Sequence, residues 1–294
     1  MQVFELIGNT PTLRVENIWL KLEFMNPTGS HKDRIAYYMI EEAKNKGLKK
    51  GRYVIEYTSG NTGISVTWLS KLMGYKPLIL LPENIVEEKR ALIKALGGEI
   101  RIVKEGEDGH LLAEKLAEEL KGVYLHQTEN LANFRAHYET TAPELFSQVK
   151  NIDCFVMGAG TGGTIYGIGK YLKARNEKIK VVLLVPKGSQ LQEEFFEKRE
   201  KDMELLEGFS YHSYSKLLKK AIDENIIDEI RVVSAEEAIK GTKMLMSYGI
   251  LGGFTAGANF YQAKKMEKNC RNIATIVADS IIRYPSRMEL IQQI

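Results

Sequence analysis

The sequence is short of cysteine, tryptophan and proline, and it has no long apolar run. Its 294 residues include 2 Cys, 2 Trp and 7 Pro. Two cysteines are too few for the disulfide framework of a small secreted protein, and Cys154 lies in an apolar run. We therefore expect reduced thiols and a cytoplasmic protein. No stretch approaches the ~20 apolar residues that span a bilayer, and MQVFELIGNT at the start lacks the pattern of a secretion signal.

The chain also lacks a strong excess of charge of either sign. Lys and Arg number 41 against 38 Asp and Glu, which gives a formal net charge of +3. The basic residues are interleaved with acidic ones, so nucleic acid is not an expected partner. Hydrophobic residues at 44% and charged residues at 27% exclude a largely disordered chain.

Short apolar or β-branched runs alternate with longer segments of helical period along almost the whole chain. This alternation predicts parallel sheets covered by helices, and about eight strands predict two doubly wound α/β domains with mainly parallel sheets. We expect Gly47, Gly74 and Gly122 to end helices in the left-handed conformation. The predicted strands are 53–57, 77–81, 99–103, 123–127, 154–157, 180–185, 229–233 and 273–278.

A lysine lies at the expected start of a helix in NPTGSHKDR, residues 26–34. Ser30 and Asp33 match an S-x-x-D capping box, which would place Lys32 in the first helical turn. The helix dipole there favours the neutral amine, the form that attacks a carbonyl. An exposed lysine in an ordinary capped helix is the alternative, and this motif alone slightly favours it.

The segment TSGNTG, residues 58–63, follows one predicted strand and precedes a helical run. Its hydroxyl, amide and backbone donors at a helix start predict a site for a carboxylate or another anion. A capped turn in any α/β protein would explain the glycines, but not so many clustered donors.

The segment GAGTGGT, residues 158–164, stands in the same position after another apolar strand. Such a loop binds phosphate through backbone N–H groups. It also matches the dinucleotide pattern G-x-G-x-x-G, which would indicate an NAD-dependent oxidoreductase. That alternative requires an acidic residue at the end of the next strand, where this chain has Val185, Pro186 and Lys187.

A lysine at a helix start, an anion loop and a phosphate loop are together what pyridoxal phosphate and an amino acid require. With these motifs the chain resembles the cysteine synthase and cystathionine β-synthase family, pyridoxal-phosphate enzymes of fold type II with tryptophan synthase β-like domains. The resemblance extends over blocks in family order. These are IGNTPTLRV (7–15), KLEFMNPTGSHKDR, TSGNTG, NLANFRAHYETTAPELF (130–146) and GTGGT.

The resemblance implies a role for each matching residue. Lys32 would hold the cofactor as a Schiff base and later take the α-proton, Asn61 would bond the ring hydroxyl, and Thr255 would face the ring nitrogen. The implied phosphate binders are Gly160, Thr161, Gly162, Gly163 and Thr164, and the implied binders of the substrate carboxylate are Thr58, Ser59, Gly60, Thr62 and Gln127. It also implies a homodimer, a smaller mobile substrate-binding domain at 37–133, and a larger cofactor-binding domain at 1–36 and 134–294.

The implied reaction is β-replacement on a serine derivative. A neutral hydroxyl at Thr255 makes the cofactor ring a weaker electron sink than a carboxylate would, which favours loss of a group from the β-carbon. O-acetylserine or O-phosphoserine with sulfide, giving cysteine, is the leading expectation. Cystathionine β-synthase, serine sulfhydrylase or cysteine desulfhydrase activity is the alternative in the same site, and a threonine or serine dehydratase or a non-catalytic binding protein is less favoured.

The chain departs from the family near its C-terminus. Asp279 to Ser286 replaces the usual Gly-Glu-Arg-Tyr-Leu-Ser-like stretch, and residues 207–211 match the family's substrate loop only loosely. Arg283, and after it Arg287, are the residues expected near the substrate mouth. An arginine there suits a phosphoryl leaving group, but the family also has an arginine at the position of Arg283 with acetyl donors, so its presence does not decide the donor. O-acetylserine remains the modestly favoured donor. His110, His126 and His212 have no metal-ligand spacing, so no metal site is predicted.

Overall fold

The computed structural model describes residues 3–206, 208–210 and 214–292. In this part of the chain, ten strands form two sheets whose faces are both covered by helices. The predicted two doubly wound α/β domains with mainly parallel sheets are confirmed. Glu207, Tyr211 and His212, which the sequence analysis names, lie outside the described residues.

The larger sheet has six strands in the order β1-β2-β10-β7-β8-β9. Its strands are β1 (Thr12–Val15), β2 (Ile18–Lys21), β7 (Cys154–Gly158), β8 (Lys180–Pro186), β9 (Glu229–Val233) and β10 (Ile273–Ile276). All pairings are parallel except that of β1 with β2. β7 is buried along its whole length, with Val156 in the core on one face and Phe155 in the core on the other. Strands buried on both faces read as continuous apolar runs, which is why this one was recognisable.

The smaller sheet has four parallel strands in the order β5-β4-β3-β6. They are β3 (Tyr53–Tyr57), β4 (Lys76–Pro82), β5 (Glu99–Val103) and β6 (Val123–Tyr124). Two apolar clusters cover its two faces. The boundaries of a separate domain at 37–133 stay a prediction, and the apolar face of the helix that begins at Lys32 already packs in one of these clusters from Ile35 onward.

Twelve α-helices connect the strands in the described residues. They are α1 (Lys32–Asn45), α2 (Asn61–Met73), α3 (Glu87–Ala95), α4 (Gly109–Glu119), α5 (Leu131–Ala136), α6 (Ala142–Gln148), α7 (Gly163–Arg175), α8 (Gln190–Phe196), α9 (Lys216–Asp223), α10 (Ala235–Ser247), α11 (Phe254–Met266) and α12 (Glu289–Gln292). A π-helical turn, His137–Thr141, joins α5 to α6. No helix of the described residues has the length and apolar character needed to cross a bilayer.

Three local predictions differ from the structure. The hairpin of β1 and β2 was not predicted, because each strand has only four residues. β6 ends at Tyr124 rather than at residue 127, since His126 turns the backbone away with a φ of 56°. Gly74 has the expected left-handed conformation. Gly122 does not; the residue before it, Lys121, is left-handed instead, with a φ of 50°.

The capping box predicted before α1 is also wrong. Asp33 does not reach back to Ser30; its carboxylate accepts hydrogen bonds from the backbone N–H of Thr28, at 2.7 Å, and from the Thr28 hydroxyl. His31, at the N-cap position, makes no capping bond with its side chain. Lys32 nevertheless lies in the first turn of α1, as the motif predicted.

A buried ion network holds the start of α1 against the larger sheet. The Arg34 guanidinium donates to Glu23 at 2.7 Å and to Glu144 at 2.7 Å. Lys21, at the end of β2, donates to the same Glu144 carboxylate at 2.7 Å. Burial by itself would raise the pKa of Glu144, but the hydrogen bonds and charges of Arg34 and Lys21 lower it to about 2. Glu144 therefore stays ionised at neutral pH, and its bonds to Arg34 and Lys21 help to fix the turn that carries Lys32.

The expectation of two reduced thiols is wrong. Cys154 and Cys270 form a disulfide, with Cα atoms 6.1 Å apart, although 116 residues separate them in sequence. They meet because β7 and β10 are neighbours and Cys154 pairs with Ile273, three residues after Cys270. Asp153 lies beside them, within 4.8 Å of both sulfurs, but the bonded sulfurs are not available as thiolate ligands for a metal.

Candidate active site

A cavity of about 870 Å³ opens at the carboxyl ends of the strands of both sheets. This is the place where doubly wound folds bind ligands. Of the residues that the resemblance assigns to the cofactor or the substrate carboxylate, all line it except Gly60 and Gly163. The lining residues among them are Lys32, Thr58, Ser59, Asn61, Thr62, Gln127, Gly160, Thr161, Gly162, Thr164 and Thr255. Motifs from separate parts of the chain thus meet around one space.

Lys32 reaches this cavity from the first turn of α1. Burial lowers the pKa of its amine from 10.5 to about 8, although the negative charges of Glu56 and Asp279 act in the opposite direction. Near neutral pH a useful fraction of the amine is therefore unprotonated, which is what a Schiff-base lysine needs. The helix dipole, inferred from the sequence, would lower the pKa of Lys32 in the same direction. Burial of the amine away from water is the largest cause of the shift.

The loop 58–63 presents side chains to the cavity. The Thr62 hydroxyl donates to the side-chain carbonyl oxygen of Gln127 at 2.7 Å, which links the loop to the segment after β6. The Thr58 hydroxyl accepts from the backbone N–H of Gly60 at 3.2 Å. Gly60 itself shapes the loop from outside the cavity: its φ is 134°, and a Cβ there would lie 2.2 Å from the Cδ of Lys89. Only glycine fits this backbone position.

Asn61 is held from two sides by residues of the altered C-terminal block. Its amide nitrogen donates to Asp279 at 2.6 Å, and its carbonyl oxygen accepts from Arg283 at 2.8 Å. A side-chain amide has two N–H donors. The second N–H of Asn61 is therefore compatible with the ring-hydroxyl contact that the resemblance implies.

The loop 158–163 presents mainly backbone to the cavity and leads into α7. Gly162 has a φ of 77°, and a Cβ on it would lie 2.5 Å from the backbone nitrogen of Leu218. A Cβ on Gly163 would lie 2.0 Å from the Asn133 side-chain oxygen, so this glycine supports the loop without lining the cavity. Asn133 also donates to the Thr161 hydroxyl at 3.0 Å. These close contacts fix the backbone of the loop. Its N–H groups then lie at the N-terminus of α7, a geometry suited to binding phosphate.

Two histidines near Lys32 are buried and neutral. Burial lowers the pKa of His31 and the pKa of His137 well below 6.5. The His31 ring contacts the backbone carbonyl of Ala278 at 3.2 Å, and His137 contacts the Thr164 hydroxyl at 3.2 Å. Their contacts are with the backbone and with the loop 158–164, which fits packing roles for both rings.

Thr255 lies in the first turn of α11 and lines the cavity with its side chain largely buried. The segment 208–210 lies against it, because a Cβ on Gly208 would be 2.7 Å from the Thr255 hydroxyl. Phe209 and Ser210 of this segment also line the cavity. Residues 208–210, the described part of the segment that matched the family loosely, therefore form part of the wall of the site.

The expectation that Arg283 lies at the substrate mouth is wrong. Its guanidinium is engaged by Asn61 and by the backbone carbonyl of Thr28, and it lines a second, apolar cavity of about 620 Å³. Arg287, which directly follows the altered block, lines the main cavity. Asp279 also lines it and was not assigned a role from the sequence. The sequence shows that the block is altered, but it does not show that residues of the block contact Asn61, more than 200 residues away.

The donor set fits pyridoxal phosphate. The phosphate would be held by the backbone of residues 160–164, the aldehyde would meet Lys32, and hydroxyl or amide donors stand at Thr255 and Asn61. A cavity of this volume is within the range of cofactor sites, about 300–1,000 Å³. The side chains of Thr58 and Ser59 line the cavity with hydroxyl groups suited to the carboxylate of an amino acid, while the Thr62 hydroxyl donates to Gln127.

Sequence comparisons agree with this arrangement. A cystathionine β-synthase from Apis mellifera is 37% identical over 96% of this chain, which spans 60% of that protein. Cysteine synthase B from Campylobacter jejuni is 34% identical, with 97% of both chains covered. A cysteine synthase from Staphylococcus aureus is 34% identical, with 97% of this chain and 95% of that protein covered.

Solved structures give the same result. An O-ureido-L-serine synthase superposes with a TM-score of 0.89 at 28% identity, over 98% of this chain and 94% of that one. A mutant of a hydrogen sulfide-producing enzyme superposes with a TM-score of 0.87 at 32% identity, over 96% of this chain and 89% of that one. A family profile described as pyridoxal-phosphate dependent enzyme matches residues 3–278. These matches leave no support for the NAD-dependent alternative. The chain belongs to the family of pyridoxal-phosphate-dependent enzymes, with the fold of type II.

Proposed function

We propose that this protein catalyses β-replacement on a serine derivative with sulfide and so acts as a cysteine synthase. The observation that carries the proposal is that Lys32, a loop of side-chain donors, a loop of backbone donors and Thr255 all line one cavity. The relatives named cysteine synthase support the choice of reaction.

The substrate's carboxylate would be bound by the loop 58–62 together with Gln127. The Thr62–Gln127 hydrogen bond, at 2.7 Å, brings these two binding elements together before any substrate arrives. A carboxylate held there would fix the substrate in the cavity that Lys32 also lines, so that its Cα–H bond can face the amine of Lys32. Pyridoxal phosphate, when bound, supplies the electron sink that makes the Cα–H and Cβ–leaving-group bonds breakable.

Lys32 would move the proton at the substrate Cα. Its pKa of about 8 allows the side chain to take that proton as an amine and to return it as an ammonium near neutral pH. Asp279 lies close enough to stabilise the ammonium form electrostatically, whereas Glu56 does so only when ionised, and burial raises the pKa of Glu56 well above 4.5. The acetate or phosphate then leaves the β-carbon, and sulfide adds there.

An absorption spectrum and a donor panel test the proposal together. The purified protein with added pyridoxal phosphate should show a visible Schiff-base band that changes when O-acetylserine is added. With sulfide, the product should be cysteine, and kcat/KM should be higher for O-acetylserine and O-phosphoserine than for serine. A visible band without turnover of any of the three donors would overturn the proposed reaction while leaving the family assignment intact.

A second candidate is the use of a larger thiol, as in a cystathionine β-synthase or serine sulfhydrylase. The cavity favours it, because Thr128, His126 and His110 line it in addition to the residues expected to bind the amino-acid donor. The same donor panel with 2-mercaptoethanol in place of sulfide distinguishes the two candidates by their kcat/KM values.

The assembly and movements of the protein are also proposals. Ile282, 64% exposed, and Leu251, 40% exposed, flank the apolar second cavity, and a homodimer would cover such a surface. Sedimentation of the purified protein tests this.

We further propose that the domain at 37–133 closes when the amino acid binds, which scattering with and without substrate would detect. Residence in the cytoplasm stays a prediction, since the disulfide removes the argument from reduced thiols.

A further inference from the structure

A group of aromatic and titratable side chains lines the cavity beyond the proposed carboxylate site. We call this region the acceptor lobe and define it by Tyr57, His110, His126 and Glu129, all of which line the same cavity as Lys32. It lies at the carboxyl ends of β3 and β6, beside the N-terminus of α4. The lobe is continuous with the site, and the cofactor, the carboxylate and the α-proton are all handled by other residues.

His126 occupies this lobe by means of an unusual backbone conformation. Its φ of 56° is in the left-handed region, which a residue with a Cβ rarely adopts. The adjacent residue, Gln127, is the one that bonds Thr62 in the carboxylate site. Such conformations persist where the surroundings enforce them, and they concentrate at functional sites. The turn therefore places an imidazole directly beside the substrate-binding glutamine.

The ring of His126 is held in place by its neighbours. It stacks on Tyr124 with ring centres 4.6 Å apart and an angle of 21° between the planes, and it lies 5.3 Å from the ring of His110. The Tyr124 hydroxyl in turn contacts the His110 ring at 2.6 Å. Glu129 is 3.5 Å from the Nε2 of His126. This carboxylate favours the tautomer with a proton on Nε2, which leaves Nδ1 as the basic nitrogen.

We propose that His126 is a catalytic base that takes the proton of an organic thiol as this second substrate enters through the acceptor lobe. The inference rests on the proposed β-replacement and names the acceptor's proton-transfer partner. In this step the S–H bond breaks and its proton goes to the imidazole. The sulfur forms a bond to the substrate's β-carbon, and the Cα regains a proton from Lys32.

The chemistry of the two acceptors explains why such a base is useful. A cysteine-like thiol has a pKa of about 8.5, so only a few per cent is thiolate at neutral pH. Hydrosulfide is already an anion near neutral pH and has no need of a base. Burial lowers the pKa of His126, so the imidazole is neutral and able to accept a proton. Once protonated, it is stabilised by the Glu129 carboxylate.

The comparison of His126→Asn with the unsubstituted protein tests the proposal. Asparagine tolerates the left-handed backbone, so the turn that positions Gln127 is kept. With O-acetylserine as donor, kcat/KM for 2-mercaptoethanol should fall by about a hundredfold, the usual contribution of a positioned base. For hydrosulfide the fall should be smaller than about tenfold, because no base is required. An equal loss with both acceptors would overturn the proposal.

A second variant separates the base from a merely structural role. His126→Gly keeps the left-handed turn and leaves a space in which added imidazole can bind. Imidazole should restore turnover of 2-mercaptoethanol and leave turnover of hydrosulfide unchanged. Absence of rescue would contradict the proposal. If the unsubstituted protein used neither acceptor, the proposed function itself would be wrong.

The pH dependence gives an independent reading. The groups that face the imidazole are His110 and Glu114 from α4, Tyr124 from β6, Glu129 before α5, and Lys216 from α9. With 2-mercaptoethanol, kcat/KM should fall below the pKa of His126, which should lie under 6.5, and His126→Asn should abolish that limb. In the cofactor-free protein, NMR titration of the His126 ring should give the same pKa. A pKa above that ordinary value would contradict the account.

Discussion

The two glycine-rich loops of the site have the same local design and opposite chemistry. Each follows a buried parallel strand, β3 or β7, and each leads into the N-terminus of a 13-residue helix, α2 or α7. The loop at 58–63 acts through its side chains, which bond to Gln127, Asp279 and Arg283. The loop at 158–163 acts through its backbone, which glycines bring close to neighbouring segments.

If the proposed roles are right, this difference would let one strand–loop–helix unit bind two kinds of anion. A phosphate is matched by several N–H groups converging from one backbone turn. A carboxylate on a substrate that must come and go is matched by hydroxyl and amide groups, which can also adjust to its position. The loop at 158–163 is therefore sensitive to changes in main-chain shape, and the loop at 58–63 is sensitive to changes in single side chains, as the following substitutions test.

Gly162→Asp should have the largest effect, because it disrupts the backbone loop. The new Cβ would meet the backbone of Leu218 at 2.5 Å, and the carboxylate would repel the phosphate at the helix N-terminus. Together these effects should weaken cofactor binding by roughly 3–4 kcal/mol, or about 100–1,000-fold. Titration of the cofactor-free protein with pyridoxal phosphate measures this directly.

Gly51→Asp is the matched control for that substitution. Gly51 has a φ of 79°, close to the 77° of Gly162, but nothing lies within 4 Å of its Cβ position. The two variants share the cost of a left-handed backbone and differ in their surroundings. Cofactor affinity should be unchanged in Gly51→Asp, and equal losses in both variants would mean that the loop does not bind the phosphate.

Thr62→Val should impair the loop at 58–63, which acts through its side chains, and leave the loop at 158–163 intact. It removes the donor to Gln127, which leaves a buried carbonyl oxygen without its partner and costs about 2 kcal/mol. We expect kcat/KM for the amino-acid donor to fall roughly thirtyfold with cofactor affinity retained. Reduced cofactor affinity together with an unchanged kcat/KM would reverse the roles assigned to the two loops.

The pH dependence of Schiff-base formation tests whether Lys32 has a lowered pKa. Because burial lowers its pKa to about 8, the unprotonated fraction should rise by about tenfold from about pH 7 to about pH 9 and then level off. Stopped-flow measurement of Schiff-base formation in the cofactor-free protein should follow this curve. A rate that continues to rise through about pH 10 would mean that Lys32 has the pKa of a solvent-exposed lysine.

Arg283→Ala should have the smallest effect and should sharpen the account of the side-chain loop. It removes one hydrogen bond to Asn61, worth about 1 kcal/mol, so kcat/KM should fall about fivefold. The loss should be equal for O-acetylserine and O-phosphoserine, because Arg283 does not line the main cavity. Arg287→Ala is the comparison, since Arg287 does line that cavity and should affect O-phosphoserine more.

Local patterns explain which parts were predictable from sequence. Strands such as Tyr53–Tyr57 and Glu229–Val233 match their predicted limits, because their apolar runs end at turn residues. The two loops were found since their donors are contiguous in sequence. The capping box failed because Thr28, close in sequence to the same carboxylate, competed for it.

Contacts between distant segments were not predictable in this way. The disulfide depends on β7 and β10 becoming neighbours, and the role of Arg283 depends on the last segment folding back against Asn61. The acceptor lobe needs the turn at His126, a residue type that gives little signal for a left-handed φ. Each of these features follows from the three-dimensional order of the segments, which a run of apolar residues does not specify.

The central claim is that Lys32 carries the cofactor between the two loops. Lys89 and Lys216 line the same cavity, so they compete with Lys32 for the aldehyde. The most direct test is to load the protein with pyridoxal phosphate, reduce it with borohydride, and map the modified peptide by mass spectrometry. The account predicts a pyridoxyl group on Lys32 alone, and no label in Lys32→Ala. A label on Lys89 or Lys216 in the unsubstituted protein would contradict it.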